Sequence, residues 1–397
     1  MSIEKFVVDV PQADLDELRR RLAAVRWPIS VTDDWSEGTS LPWLQSLVER
    51  WGSTYDWRAA ERRINELPQV MVGVEGTAIH AVHRRGVGPD PMPLVLSHGW
   101  PSSFYEWHAV VDALADPAAH GGDPADAFHV VAPSLPGYGF SAAPRQPGMT
   151  PRRIAALWGG LMAELGYDRF AAHGCDWGAY VTSLLGLDLP DRVIGIHMGM
   201  VSLSAPSTSP PTADDESYRQ RVRQWRSQEH GYVGIQSTKP QSLAVGLADS
   251  PAGLAAWIAE KWRAWTDCDG DLENAVSVDD LLTTISLYWF TNTVSTANRL
   301  YFESRQHPVR LDAGERVKVP AGFLLESPGE ATGNRAFLGV PRIGAPPIAR
   351  AEAVFDVERW TIVERGGHFP ALEISSMFVD EVRAFFRPQR SAALRAP

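Results

Sequence analysis

The chain reads as an α/β protein, a mostly parallel sheet flanked by helices, with an N-terminal belt and an inserted helical cap. Three observations point there. From residue 94 onward, short apolar runs at 94–97, 128–132, 170–173, 193–198, 321–325 and 361–363 alternate with helical stretches, which is the rhythm of parallel strands covered on both faces. Residues 202–305 break that rhythm with helical patterns at 243–247, 254–265 and 281–298. Ahead of the alternating region lie a strand, two amphipathic helices and two alternating segments that belong to none of its repeats.

Taken in order, the opening helix has Pro11 near its first turn and Leu15, Leu18, Leu22 and Val25 at helical spacing until Pro28 ends it. A second helix is predicted over 44–51, followed by strands over 70–74 and 79–82. The chain thus divides into an N-terminal region (1–90), a first core segment (91–201), the cap (202–305) and a second core segment (306–397). Within the cap, 202–215 is rich in Ser, Pro and Thr and is expected to be a loop. No fixed-period repeat is present.

Composition narrows the function. Apolar residues make up 44% of the 397 and charged ones 21%, the balance of a soluble globular protein. A formal charge of -11 gives no basic footprint for nucleic acid or an anionic membrane surface, so a small molecule is the expected partner. Cys175 and Cys268 are the only cysteines, too few for a disulfide framework and without zinc-ligand spacing. Residues 1–10 lack an export pattern, and a cytoplasmic location is expected.

The sharpest chemical signal is Ala172-His173-Gly174-Cys175-Asp176-Trp177-Gly178-Ala179, with an apolar strand running in and a helix-prone stretch, 180–187, running out. A strand-turn-helix nucleophile elbow needs small residues two before and two after its centre, and Gly174 and Gly178 stand there. This is the pattern of the α/β-hydrolase fold, with Asp176 where a serine is usual. A carboxylate can displace at carbon and form an ester that water then cleaves. Taken alone, the motif also fits an ordinary Gly-rich turn.

The fold's chain order of nucleophile, acid and histidine assigns the other members. Glu364-Arg365-Gly366-Gly367-His368-Phe369 follows the last expected strand, and His368 suits the role of base near neutral pH. The acid falls after the run at 319–325, where Glu326 and Glu330 are the candidates. Glu330 is assigned, because Ser327-Pro328-Gly329 carries it past the strand end whereas Glu326 would finish the strand. Upstream, His98-Gly99-Trp100-Pro101 supplies one oxyanion-hole N–H and the residue after the nucleophile the other, which makes Trp100 and Trp177 the donors. Pro101 has no N–H to give.

With these residues in place the chain resembles the epoxide hydrolases of the microsomal type, including the N-terminal region peculiar to them. The markers are Val25-Arg26-Trp27-Pro28, Tyr55-Asp56-Trp57-Arg58, the stretch from His98 to Trp107, Pro136-Gly137-Tyr138-Gly139-Phe140-Ser141, the Asp elbow and Arg365-Gly366-Gly367-His368-Phe369. The resemblance implies a soluble member, without the membrane anchor of some relatives, that turns an epoxide and water into a vicinal diol without metal or organic cofactor. It also implies two cap tyrosines on the epoxide oxygen. Tyr232, within Gly231-Tyr232-Val233-Gly234, matches the first and Tyr301, within Arg299-Leu300-Tyr301-Phe302, the second. Phenol donors suit a developing alkoxide, which a carboxylate would repel. The pattern departs from the family over 331–354, a Gly-, Pro- and Ala-rich insertion that shifts the match at the acid.

Two alternatives remain open at this level: a haloalkane dehalogenase, which also uses an Asp nucleophile, and a ligand-binding protein that kept the fold and lost catalysis. Trp225, Trp262, Trp265 and Trp289 are candidates to line a pocket for a bulky aryl epoxide. Relatives include both antibiotic-biosynthetic and detoxifying enzymes, and oligomeric state is left open, a homodimer included.

Overall fold

A computed structural model of the chain describes residues 3–205, 210–312, 314–328 and 343–393. Its nine described strands, β1 (Ile3–Phe6), β2 (Gln69–Val74), β3 (Thr77–Arg84), β4 (Met92–Ser97), β5 (Phe128–Pro133), β6 (Phe170–Gly174), β7 (Val193–Met198), β8 (Pro320–Glu326) and β9 (Asp356–Val363), form one sheet in the order β1-β2-β3-β5-β4-β6-β7-β8-β9. β1 to β3 pair antiparallel and β3 joins β5 antiparallel. From β5 to β9 every pair is parallel.

Alternation along each strand divides the core between two faces. Val95 and Val131 face one apolar cluster with Ala172, Leu157 and Trp158. Leu94, Leu96, Val130 and Ala132 face another, closed by Phe378, Val382, Phe385 and Phe386 of the last helix, Ser375–Ala393. β6 lies between β4 and β7 and is buried throughout. Its C-terminal end is therefore a fixed point on which a side chain can be mounted.

The cap is helical. Its described helices are Ala213–Glu229, Gly231–Gln236, Pro240–Asp249, Pro251–Trp265, Val278–Thr291 and Val294–Gln306. The N-terminal belt holds it from outside: the Trp51 indole donates to Ser286 Oγ at 2.9 Å, the Tyr55 hydroxyl shares a 3.0 Å hydrogen bond with Thr283, and Arg50 pairs with Asp279 at 3.0 Å. Among the described residues no single helix is long and apolar enough to cross a membrane.

Two expectations are corrected. The apolar pattern over 281–298 predicts one helix, but the chain turns at Asn292, which takes the left-handed conformation (φ 50°, ψ 40°). Asparagine tolerates that region better than other non-glycine residues, and apolar periodicity continues across the break because both helices bury a face. The turn matters because the second helix carries Tyr301. The final strand was expected over 361–363 only, yet it starts at Asp356. It lies at the sheet edge, where exposed Asp356 and Glu358 alternate with half-buried Val357 and Arg359 and dilute the apolar run.

Candidate active site

Asp176 sits between β6 and the helix Trp177–Asp188 with φ 52° and ψ -124°, a conformation costly for any residue with a Cβ. The turn closes only because its neighbours are small. A Cβ on Gly174 would collide with the carbonyl of Gly178, and one on Gly178 with the carbonyl of Ser97. Gly99 is required for the same reason, since a Cβ there would strike the Asp176 side chain itself. Strand, elbow and loop therefore approach one another more closely than larger residues would allow.

That approach aims two backbone donors at the carboxylate. Trp100 N–H donates to Asp176 Oδ1 at 2.9 Å, and Trp177 N–H hydrogen-bonds the same carboxylate. The loop presenting Trp100 is pinned by His98. Leu135 N–H donates to His98 Nε2 at 3.1 Å, so the ring proton sits on Nδ1, which donates to the Gly99 carbonyl at 2.9 Å. Burial holds this imidazole neutral, pushing its pKa down to about 4. From above, the Trp262 indole donates to the Pro101 carbonyl (2.9 Å) and the Tyr288 hydroxyl to the Ser102 carbonyl (2.8 Å), tying the cap to the donor loop.

His368 approaches from the loop after β9, its Nε2 3.8 Å from Asp176 Oδ2. Its position is set by the backbone: His368 N–H donates to the Trp265 carbonyl at 2.9 Å, and Gly366 N–H to the Asp267 carboxylate at 3.0 Å. The imidazole lies 4.9 Å from the Trp265 ring and 4.8 Å from that of Phe369. Glu326 ends β8 and lines the same cavity as Asp176 and His368. Glu330, the acid assigned from the sequence, lies outside the described residues.

The two cap tyrosines meet at this point from different helices. Tyr232 stacks on Trp100 (5.1 Å, 11°), Tyr301 stands edge-on to Trp177 (4.8 Å), and the two phenol rings are 5.8 Å apart. Both are buried. The Tyr301 hydroxyl has no hydrogen-bond partner of good geometry among the described residues, although it lies close enough to the Tyr232 hydroxyl to influence its ionisation. Burial and the nearby Asp176 charge keep both phenols protonated, as donors must be. A cavity of about 400 Å³ opens from Asp176 and His368 past Tyr180, Tyr218, Trp225, Tyr232 and Trp265.

Of the four tryptophans expected at a pocket, Trp225 and Trp265 line it. Trp262 is spent on the Pro101 carbonyl, and Trp289 lies under the Arg21 guanidinium. One buried group gave no individual signal in the sequence. Glu106, inside the quoted stretch from His98 to Trp107, is buried near Asp176, and desolvation raises its carboxyl to about 8, so it adds no second negative charge at neutral pH. Its burial follows from a tertiary contact that periodicity does not encode.

Fold and elbow define an α/β-hydrolase whose nucleophile position holds a carboxylate. The family described as epoxide hydrolase N terminus matches residues 3–107, and the α/β-hydrolase fold family matches 92–242. A Stigmatella aurantiaca protein named as a candidate epoxide hydrolase is 39% identical over 98% of this chain and 86% of its own. Epoxide hydrolase 1 of Sus scrofa is 30% identical over 97% and 88%. Among solved structures, the Aspergillus niger epoxide hydrolase superposes with a TM-score of 0.83 at 27% identity, covering 98% of this chain and 97% of that one. The juvenile hormone epoxide hydrolase of Bombyx mori gives 0.80 at 28%, covering 98% and 94%. The chain belongs to the epoxide hydrolase family, within the microsomal type that carries this N-terminal region. It is a hydrolase of the α/β fold.

Desolvation raises the Asp176 carboxyl from 3.8 to about 6, against the opposing effect of the Trp100 and Trp177 N–H groups. The sign for stability follows: the folded state binds the proton more tightly than the unfolded one, so the carboxylate costs nothing at low pH and its full penalty above about pH 6. A shift of this size corresponds to roughly 1–3 kcal/mol at neutral pH. Asp176→Asn keeps an acceptor for both N–H groups and removes the charge. Thermal unfolding at pH 7.5 is expected to show a raised Tm with turnover abolished, and the Tm gain is expected to shrink toward pH 4; a lowered Tm at pH 7.5 would contradict the burial cost.

Proposed function

We propose that Asp176 attacks an epoxide carbon to form an alkyl ester, which water activated by His368 then cleaves to a vicinal diol. The observation that carries this is one carboxylate meeting two backbone N–H donors, an imidazole at 3.8 Å and two buried phenols. In the first half-reaction a bond forms between an Asp176 oxygen and carbon while the ring C–O bond breaks. Its electron pair goes to the epoxide oxygen, which takes a proton from Tyr232 or Tyr301. In the second, His368 removes a proton from water as it attacks the ester carbonyl carbon, and the Trp100 and Trp177 N–H groups hold the oxyanion. Collapse breaks the acyl C–O bond, the departing alkoxide takes the proton held by His368, and the proton left on the Asp176 carboxyl returns to the phenolate, so the diol is released and both groups are reset. Glu330 orients the imidazole and stabilises its protonated form. The same two N–H groups thus serve carboxylate and tetrahedral intermediate in turn.

His368→Gln should spare ring opening and block ester hydrolysis, since a general base contributes on the order of a hundred- to ten-thousandfold. Intact-protein mass after incubation with styrene oxide is expected to show one substrate adduct, mapped by peptide analysis to Asp176. In single-turnover reactions of the wild type in heavy-oxygen water the label is expected in the Asp176 carboxyl; label in the diol instead would eliminate the covalent route.

Because the attacking species is the carboxylate, the ring-opening rate measured under single turnover is expected to fall about tenfold per pH unit below about pH 6, the value to which burial lifts Asp176. A rate flat down to pH 4.5 would contradict the raised carboxyl at Asp176.

The aromatic lining from Tyr180, Tyr218, Trp225 and Trp265 supports a bulky or aryl epoxide as substrate. Higher kcat/KM is expected for styrene oxide and larger aryl epoxides than for propylene oxide, and a preference for the small alkyl epoxide would reverse this assignment.

A further inference from the structure

Lys261 presents an arrangement that ring opening as described does not use. It is buried, in the helix Pro251–Trp265, with Nζ 2.7 Å from Glu260 and 3.2 Å from Glu229 of the preceding long cap helix. Its ammonium also lies over two rings, 5.2 Å from the centre of Tyr232 and 6.0 Å from that of Trp265. Both rings border the site. Tyr232 stacks on Trp100, whose N–H holds Asp176, and Trp265 borders His368. Burying the Lys261 cation and the Glu229 carboxylate beside a half-buried Glu260 carries a desolvation cost that well-packed apolar residues of the same volume would avoid. A cation over an aromatic face attracts its electrons, which fixes the ring's orientation and favours the phenol as an O–H donor, against Glu229 and Glu260, whose charges hold that proton more tightly.

We propose that Lys261, held by Glu229 and Glu260, is a positioning residue for ring opening: its ammonium orients and polarises Tyr232 so that the phenol O–H is directed at the leaving epoxide oxygen. Lys261 touches no reacting atom. It acts on the first half-reaction alone, because ester hydrolysis uses His368 and the backbone donors. The proposal rests on the role given above to Tyr232, and the test separates the two.

Ring opening and ester hydrolysis are measured separately with styrene oxide, by stopped-flow tryptophan fluorescence and by quenched intact-protein mass. Lys261→Met is expected to slow ring opening about tenfold or more while ester hydrolysis stays within about twofold. Should that variant fold poorly, Lys261→Met/Glu260→Gln removes cation and partner together, leaves the cluster's net charge unchanged, and is expected to show the same split. Tyr232→Phe keeps the ring under the ammonium and loses the O–H. Adding Lys261→Met to Tyr232→Phe should therefore slow ring opening no further, whereas a packing role would persist in the phenylalanine background. Ring opening at the wild-type rate in Tyr232→Phe would overturn the role of Tyr232 itself. A slow Tyr232→Phe beside an unaffected Lys261→Met, equal slowing of both steps, or additive effects would overturn the role of Lys261 alone.

Discussion

The whole site depends on a carboxylate kept out of water at a bend in the backbone. A buried charge must be met by donors, and here Trp100 and Trp177 meet it through main-chain N–H groups, which cannot rotate away. Their convergence requires the loop after β4 and the start of the helix after β6 to come within van der Waals contact. That in turn requires glycine at 99, 174 and 178. Much of what surrounds the elbow follows from this one demand: β4 and β6 must be sheet neighbours, their ends must be level, and the loop must be pinned from behind by His98 and from above by Trp262 and Tyr288. The stability given up at Asp176 is recovered elsewhere, in the two apolar clusters that clamp the sheet.

Division of labour between core and cap follows from charge. In the proposed mechanism the core meets negative charge on Asp176 and its tetrahedral successor with backbone donors and an imidazole. In the same proposal the cap meets negative charge on the departing oxygen with phenols. Phenols are suited because they are donors that remain neutral when buried near a carboxylate, so they add no attraction that would quench the nucleophile. A lysine placed directly on the epoxide oxygen would pair with Asp176 in the resting enzyme. In the proposed role of Lys261, setting the cation behind a ring, with two carboxylates to hold it, keeps its influence on the phenol while denying it contact with Asp176.

How much of this the sequence disclosed can be argued from particular residues. The elbow was legible because its requirements are local: three positions within five residues, bounded by a strand and a helix. His368 was legible because the fold orders its functional loops along the chain. The tyrosines were not legible from spacing, since Tyr232 and Tyr301 lie 69 residues apart on different helices and only resemblance to a family singled them out. Trp225, Trp262, Trp265 and Trp289 were indistinguishable as letters, yet one holds a carbonyl, one lies under an arginine and two face the cavity. What separates them is the direction each side chain takes from its helix, set by packing that the periodicity of a single element does not contain.

The break at Asn292 shows why such information is lost, and what it does for the site. Apolar residues on either side continue at helical spacing because each helix buries a face on the same core, so the sequence pattern runs through the turn without a mark. A single left-handed residue then redirects the chain, and the second helix delivers Tyr301 to a point 5.8 Å from the ring of Tyr232. A straight continuation would carry residue 301 onward along the axis of the first helix at about 1.5 Å per residue. Convergence of the two phenol rings thus depends on a backbone conformation at a residue set apart from both. It is the cap's counterpart of the strained elbow in the core: in both places one positive-φ residue places a side chain of the site where regular structure alone would not put it.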